Sequence, residues 1–451
     1  MPDVRDQVFA YIDEHLQESL DDLAAFCRIP SISSRSEGIT EAAVFVANRL
    51  RDAGFRAEIM PTAGHPVVYG ESDTGSGRTL LCYNHYDVQP PEPLDLWHSP
   101  PFEPAIRNGR MYARGVSDDK GQLISRIAAL RAIRAVMGQL PARVKFLVEG
   151  EEEISSPNLE PFIAAQRDRL AADACVWEFG GIDHEGRPQV VLGLRGICYV
   201  EFHVRTLTRD AHSGGAHHLP NAAWRLVWAL ASIKGPDERI RIPGFYDGIV
   251  PPRAPEQRLL DEMPSDEDYI RSTYGVRNVV ADRTGAAWKP AVYEPTANLA
   301  GFGSGWQGQG SKTVIPAEAM AKMDFRMVPG QDPADIVQKL RAYLDAQGFS
   351  DVEVRVLGLE KAGTTPPDEP FVQQAARTAE EVYGVAPVLI PLTGGTGPTH
   401  LFREYLQTPI VTLGPGDPDS RVHAPDESLS LAQFVKGTRH MASLLLAFAE
   451  G

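Results

Sequence analysis

Three short, mostly apolar runs in the first half of the chain each stop at a histidine or a carboxylate. Thr79-Leu-Leu-Cys-Tyr83 leads into His85-Tyr86-Asp87, Val144-Lys-Phe-Leu-Val148 into Glu149-Gly-Glu-Glu-Glu153, and Ala174-Cys-Val-Trp177 into Glu178. Runs of this length and character read as strands, and continuous apolarity means burial on both faces. Such strands need helices above and below them, so the chain is directed to an α/β layer architecture. In open α/β sheets, functional groups gather beyond the carboxyl ends of the strands, which is where these polar residues fall.

Helical periodicity fills the spaces between the strands. Val8, Phe9, Ile12, Leu16, Leu20, Leu23 and Phe26 recur at three- and four-residue steps and predict one amphipathic helix in the opening segment. A second helix is expected from Thr40 to Ala53, stopped at Gly54, and a third from Gly121 to Met137. Arg56 to Met60 adds a strand.

After Leu194-Arg195-Gly196 the pattern changes. Val200, Phe202 and Val204 alternate with Glu201, His203 and Arg205, as in a strand with one face open. A helix near Asn221 to Ser232 follows, then a Pro- and Gly-punctuated stretch from Gly235 to Gly310. Ala319 to Met327 reads as a strand, Pro333 to Ala346 as a helix and Val352 to Leu357 as a strand. These units predict a smaller α+β sandwich inserted into the first domain. The segment from Gly363 serves as the return linker. The helix Glu369 to Tyr383, the strand Val388 to Pro391 and the helix Leu431 to Ala449 then resume the α/β domain. The expected division is 1–196 and 363–451 for the α/β domain, with 197–362 as the insertion.

The 451 residues are 43% hydrophobic and 23% charged, enough to bury a large core, and no run is long enough for a membrane span. A net charge of −16 argues against a nucleic-acid partner. Cys27, Cys82, Cys175 and Cys198 stand apart from one another in apolar runs, as buried thiols do in a reducing compartment. The polar, acidic N-terminus lacks a signal-peptide pattern, so cytoplasmic residence is expected.

Imidazole and carboxylate together suit divalent zinc or manganese. His85 and Asp87, two apart on an extended chain end, point the same way, a geometry for a histidine ligand with a carboxylate behind it. In Arg114-Gly-Val-Ser-Asp-Asp-Lys-Gly121, Asp118 and Asp119 precede a helix. Either could simply cap it, or one carboxylate could sit between two cations. The run Glu149–Glu153 could be a solvated surface loop, but like charges at a buried strand end are relieved by a cation, and one glutamate could stay free as a general base. His423 lies in the Arg421–Glu427 loop before the last helix. His212, in Asp210-Ala-His-Ser-Gly214, is equally well explained as a turn residue or as a functional one.

In this order the motifs resemble the M20 metallopeptidase family of cytosolic dipeptidases, carnosinases, glutamate carboxypeptidases and amino-acid deacylases. Glu149-Gly-Glu-Glu-Glu153, Leu192-Gly-Leu-Arg-Gly-Ile-Cys-Tyr199 and Lys312-Thr-Val-Ile-Pro316 are closest to the dipeptidase and carnosinase branch. The resemblance implies a catalytic domain with a mixed sheet flanked by helices and an inserted α+β lid and dimerisation domain. It implies two divalent metal ions per subunit, zinc or alternatively manganese, bridged by Asp118. His85 and Glu178 would complete one site, Glu153 and His423 the other. Glu152 would be the general base that activates a water between the metals, with Asp87 behind His85. His212 would reach a neighbouring subunit's site in a homodimer, Arg326 would grip the substrate's terminal carboxylate, and Gly395 and Thr396 would contact a small peptide substrate. The chain departs from relatives in Ile154-Ser155-Ser156, where they commonly carry Gly-Ser, so a different turn is expected there. It also has glutamate at 178, where close dipeptidase relatives have aspartate.

The same machinery could serve an N-acyl-amino-acid deacylase, because both reactions cleave an amide. A metal-bearing but inactive regulatory protein is the third reading. Loss of a ligand or of the base would favour it, and none is missing.

Overall fold

A strand that is apolar on both faces has to be enclosed, and Thr79–His85 is buried in all but its first residue. It runs parallel to Arg143–Glu149 on one side and Ala174–Trp177 on the other, with Ile410–Thr412 parallel beyond the latter. Val67–Ser72 and Phe55–Met60 extend one edge antiparallel, while Pro188–Val191 and Val388–Ile390 complete the other. The sheet is therefore mixed, with a parallel centre. Parallel central strands bring their carboxyl ends out together, which gathers the residues after Tyr83, Val148 and Trp177.

The computed structural model describes residues 3–75, 77–280 and 284–451. Met1 and Pro2 of the polar N-terminus, and residues 281–283 of the Gly235–Gly310 stretch, lie outside the described residues. The chain divides into two units: 1–193 with 364–391 and 401–451, and 194–363 with 392–400.

In the first unit, alternation along the central strand sends Leu81 and Tyr83 to one face and Cys82 and Asn84 to the other. On the first face Tyr83 stacks on Trp177 with centroids 3.8 Å apart, and Phe402 meets Trp177 edge-on at 4.9 Å. Leu159, Phe162 and Ile163 of the helix Leu159–Leu170 close over this layer. The helix Lys120–Met137 lies against the second face and packs on the helix Leu431–Glu450. It is buried almost all round in its first half, including the charged Lys120 and Arg126.

Arg126 shows how a charge is accommodated there. Nη1 donates to the carbonyls of Tyr83 at 2.7 Å and Val176 at 3.3 Å and to Asn84 Oδ1 at 2.8 Å. Nη2 donates to the carbonyls of Trp177 and Leu413. These carbonyls lie at or near the carboxyl ends of three parallel strands. One guanidinium ties them together.

The second unit is an antiparallel sheet in the order Thr296–Ser304, Glu318–Met327, Gly196–Arg205, Glu353–Glu360. Val200, Phe202 and Val204 are buried, as their alternation predicts. They pack under the helices Ala222–Ile233 and Pro333–Ala346, whose Leu226, Ala229, Val337 and Leu340 fill the layer between. Asn221 and Asp332 cap these helices, Asn221 by accepting from the Trp224 amide at 3.1 Å.

Two expectations fail. The opening segment is not one helix but two, Val4–Glu14 and Leu16–Cys27, broken at His15. The His15 ring stacks on Tyr11, and both its Nδ1 and its backbone N–H reach the Tyr11 carbonyl at 3.0 Å, so the side chain competes for the acceptor that continues the helix. The stretch Gly235–Gly310 is not only punctuation. It contains the helices Ala254–Glu262 and Glu267–Tyr274 and the edge strand Thr296–Ser304. That strand is glycine-containing and largely exposed, so it has neither the composition nor the alternation of a half-buried strand. All four cysteines are unpaired and buried. Among the described residues no helix is long and apolar enough to cross a membrane.

Replacing Arg126 by methionine keeps the volume but removes every donor. The variant should lose about 3 kcal/mol or more, because buried carbonyls would be left unpaired. Urea unfolding measures this, and an unchanged midpoint would show that the guanidinium does not hold the strand ends.

Candidate metal centre

His85 is the last residue of its strand and has no exposed surface. Its Nδ1 lies 3.0 Å from the Asp87 carbonyl oxygen and 3.3 Å from Asp87 Oδ1. A carbonyl only accepts, so Nδ1 carries the proton and the Nε2 lone pair is left for a metal. Nε2 faces Asp118 Oδ1 at 3.0 Å and Glu178 Oε2 at 3.5 Å. Across the site, His423 Nε2 lies 3.0 Å from Asp118 Oδ2 and 3.2 Å from Glu153 Oε2. Asp118 thus turns one oxygen to each histidine.

Neither acid before the helix is used as a cap, because the first turn of Lys120–Met137 receives no side-chain hydrogen bond. Asp119 instead accepts from Asn84 Nδ2 at 2.6 Å and the His85 amide at 3.1 Å, which leaves its Oδ1 buried without a partner. It is grouped with His85 and Glu178 as a possible ligand set, and Asp118 with Glu153 and His423. The 3.0 Å approach of Asp118 to both imidazoles makes it the better candidate for a shared ligand, with Asp119 directly behind it.

The acidic run divides by role. Glu149 points inward and accepts from Tyr83 Oη at 2.6 Å and Ser156 Oγ at 2.8 Å, and burial pushes its carboxyl up to about 7. Glu151 is tied to the His65 amide and to Asn158. Only Glu152 and Glu153 face the site, on the turn Glu152–Ile154. Asp87 holds that turn by accepting from the amides of Glu152 at 3.3 Å and Glu153 at 3.0 Å. Ser155 closes it with a φ of 69°, a left-handed conformation that glycine adopts freely and serine at a cost. The departure from Gly-Ser therefore leaves a turn that still presents both glutamates.

The electrostatics describe a pocket short of positive charge. Burial pushes Glu152 and Glu178 well above the usual carboxylate range. Burial also lowers His85, but the Glu178 charge and hydrogen bonds to Asp118 and Asp87 outweigh it and hold the imidazole well above its usual range. Hydrogen bonds to Asp118 and Glu153 raise His423 to about 10. Glu178 Oε2 is buried and makes no hydrogen bond. Ligand atoms within each cluster lie within 4.8 Å of one another, compatible with metal–ligand bonds of about 2.0–2.2 Å. The donors, their spacing and the orphaned oxygen fit divalent cations.

The other expected residues belong to the second unit. Arg326 Nη1 donates to Thr396 Oγ1 at 2.7 Å, and its Nε lies 3.3 Å from Asp324. Gly395 is exposed, and its carbonyl accepts from the Arg195 amide at 2.9 Å. His212 is exposed, and its Nδ1 accepts from the Gly214 amide at 3.0 Å, the bond of a turn histidine. Sequence reasoning gave no role to Gln89, which donates to Glu153 Oε2 at 2.8 Å, or to Asn84 behind Asp119. Asn84 could have been noticed as a lone amide in an apolar strand; Gln89 carries no such signal.

The fold and the paired clusters define a metal-dependent hydrolase of the peptidase class. The chain belongs to peptidase family M20/M25/M40, whose model matches residues 81–447. It is 27% identical over 460 residues to the Cys-Gly metallodipeptidase dug1 of Schizosaccharomyces pombe, covering 96% of each chain. Among solved structures it is similar to the M20 family metallo-carboxypeptidase Sso-CP2 of Sulfolobus solfataricus, with TM-score 0.92, 36% identity and coverage of 96% of this chain and 100% of that one. It is also similar to human carnosine dipeptidase 1, with TM-score 0.86, 26% identity and coverage of 99% and 100%.

Replacing Asp118 by alanine should lower the divalent-metal stoichiometry of the purified protein, measured by elemental analysis, because both histidines lose their common carboxylate. Undiminished, tightly held metal in that variant would show that Asp118 is not a shared ligand.

Proposed function

We propose that the protein is a dinuclear metal-dependent peptidase that cleaves dipeptides or short peptides, with Glu152 as general base. The observation that carries this reading is Asp118 set between His85 and His423, with Glu152 on the turn beside them. His85 and Glu178 would hold one cation, Glu153 and His423 the other, and Asp118 both; imidazole with carboxylate favours zinc, with manganese the alternative. Cations held there would supply Lewis acidity, polarising the scissile carbonyl and easing deprotonation of water.

The chain's own residues supply the rest. The Glu152 carboxylate takes a proton from the attacking water and returns it to the leaving amine; its buried setting raises its proton affinity, as such a role requires. Asp87 orients His85 through Nδ1 and fixes the backbone of Glu152. Arg326, its guanidinium steadied by Thr396, binds the terminal carboxylate of the peptide. Gly395 and Thr396 contact the substrate backbone.

His212 acts on the oxyanion of a second copy's site in a homodimer formed through the inserted domain. Support for the dimer comes from Trp224 and Trp228, 57% and 55% exposed on the helix Ala222–Ile233, and from exposed Leu299 and Phe302 on the edge strand Thr296–Ser304. Sedimentation as a monomer at micromolar concentration would remove both the dimer and this role of His212. The free buried cysteines support a reducing, cytoplasmic compartment.

A carboxypeptidase reading is favoured by one observation: the 36% identity to the Sulfolobus metallo-carboxypeptidase exceeds the 26% to human carnosine dipeptidase 1. A panel of free dipeptides, longer peptides and N-acyl amino acids separates the readings. Cleavage of free dipeptides is expected. Release of C-terminal residues from longer peptides would favour the carboxypeptidase, and deacylation alone would replace both by a deacylase. Glu152→Gln should keep its metal yet lose about 10²–10⁴-fold in kcat. Near-normal turnover at normal metal content would remove Glu152 from the mechanism.

A further inference from the structure

Glu427 lies at the end of the loop that carries His423, four residues further on, and is 1% exposed. Its carboxylate is filled by donors from a single distant segment. Oε1 accepts from the amides of Ser117 at 2.9 Å and Asp118 at 3.0 Å. Oε2 accepts from the Gly115 amide at 2.8 Å and from Arg114 Nη1 at 2.8 Å. In return, the Glu427 carbonyl accepts from the Ala113 amide at 3.2 Å. The segment 113–118 and the His423 loop are thus stitched together by one residue, at the point where each offers its metal-facing side chain.

Burying this charge is costly, and a well-packed apolar residue would be cheaper for stability alone. An apolar residue, however, would orphan three amides in the turn that aims Asp118. A carboxylate has about four acceptor sites, and here four donors occupy them. Glutamine cannot replace it, because its NH₂ would face the Gly115 amide and the Arg114 guanidinium, donor against donor. Aspartate keeps the charge but is one methylene short of the whole set.

We infer that Glu427 is a positioning residue that locks the spacing between Asp118 and His423, and so sets how tightly the protein holds metal. The inference rests on the reading of Asp118 and His423 as metal ligands. Coordination demands ligand placement to a few tenths of an ångström, so releasing one side of the Asp118 backbone should be felt in affinity before it is felt in the fold.

The test uses the full chain, stripped of metal by a chelator and titrated with Co²⁺, with visible absorption reporting the coordination sphere and thermal unfolding of the metal-free protein reporting the fold. Glu427→Gln should weaken Co²⁺ binding about 10–100-fold, the usual consequence of losing a partner behind a ligand, and should alter the absorption bands. Glu427→Asp should fall between it and the wild type. A folded Glu427→Gln protein with wild-type affinity and spectrum would overturn the inference, even if its Tm fell, since that is the signature of a purely structural role. If the glutamine variant shows no cooperative unfolding, the aspartate variant decides on the same criteria, and loss of the fold in both would also overturn it. Wild-type protein that binds no Co²⁺ would instead remove the metal-site reading itself, and the inference with it.

Discussion

The guanidinium of Arg126 is the point on which the geometry of this molecule turns. The central strands of the α/β unit are parallel, and at their carboxyl ends the carbonyls of Tyr83, Val176, Trp177 and Leu413 converge on one buried cation. His85 and Glu178 follow two of those carbonyls by one or two residues. A group that fixes the strand ends therefore fixes the origin of these candidate ligands, and a small splay of the sheet there would open the distances between them.

Around that fixed frame the protein concentrates negative charge beyond what its own cations neutralise. Asp118, Glu152, Glu153 and Glu178 share a small volume with two imidazoles: burial pushes Glu152 and Glu178 well above the usual carboxylate range, and the surrounding carboxylates outweigh burial to hold both imidazoles above theirs. A divalent cation would relieve the same crowding of negative charge. Its binding would then contribute to the stability of the site. Asp87 and Gln89 hold the candidate ligand Glu153 and Glu427 holds Asp118, through their backbone or their far side, while Asn84 holds Asp119 behind them.

Much of the architecture was legible in the sequence because burial leaves periodic traces. Continuous apolarity in Thr79–Tyr83 and Ala174–Trp177 marked enclosed strands, and the alternation of Val200, Phe202 and Val204 marked a half-covered one. Where the chain is neither enclosed nor alternating, those traces vanish. The edge strand Thr296–Ser304 is exposed along much of both faces and contains glycines, so nothing in its pattern announces a strand; its neighbour Glu318–Met327 imposes it. The break at His15 is similarly invisible, since the apolar positions on either side keep helical spacing through it.

For the candidate site, the sequence by itself determined which kinds of side chain gather and where they begin: imidazole and carboxylate at the ends of buried strands, with a late histidine of the same character. It did so because a strand end is a local property, readable from the residues that precede it. Only the tertiary structure decided which of several neighbouring acids do what. Asp118 and Asp119 are equivalent as text, yet one faces two imidazoles and the other is turned back onto Asn84. Glu149 to Glu153 read as one acidic run, yet Glu149 and Glu151 are consumed by Tyr83, Ser156, His65 and Asn158, leaving two to face the site. Direction depends on a turn of a few residues and on partners far away in the chain. Glu427 meets Asp118 across about three hundred residues, a proximity that no local pattern encodes because long-range packing creates it.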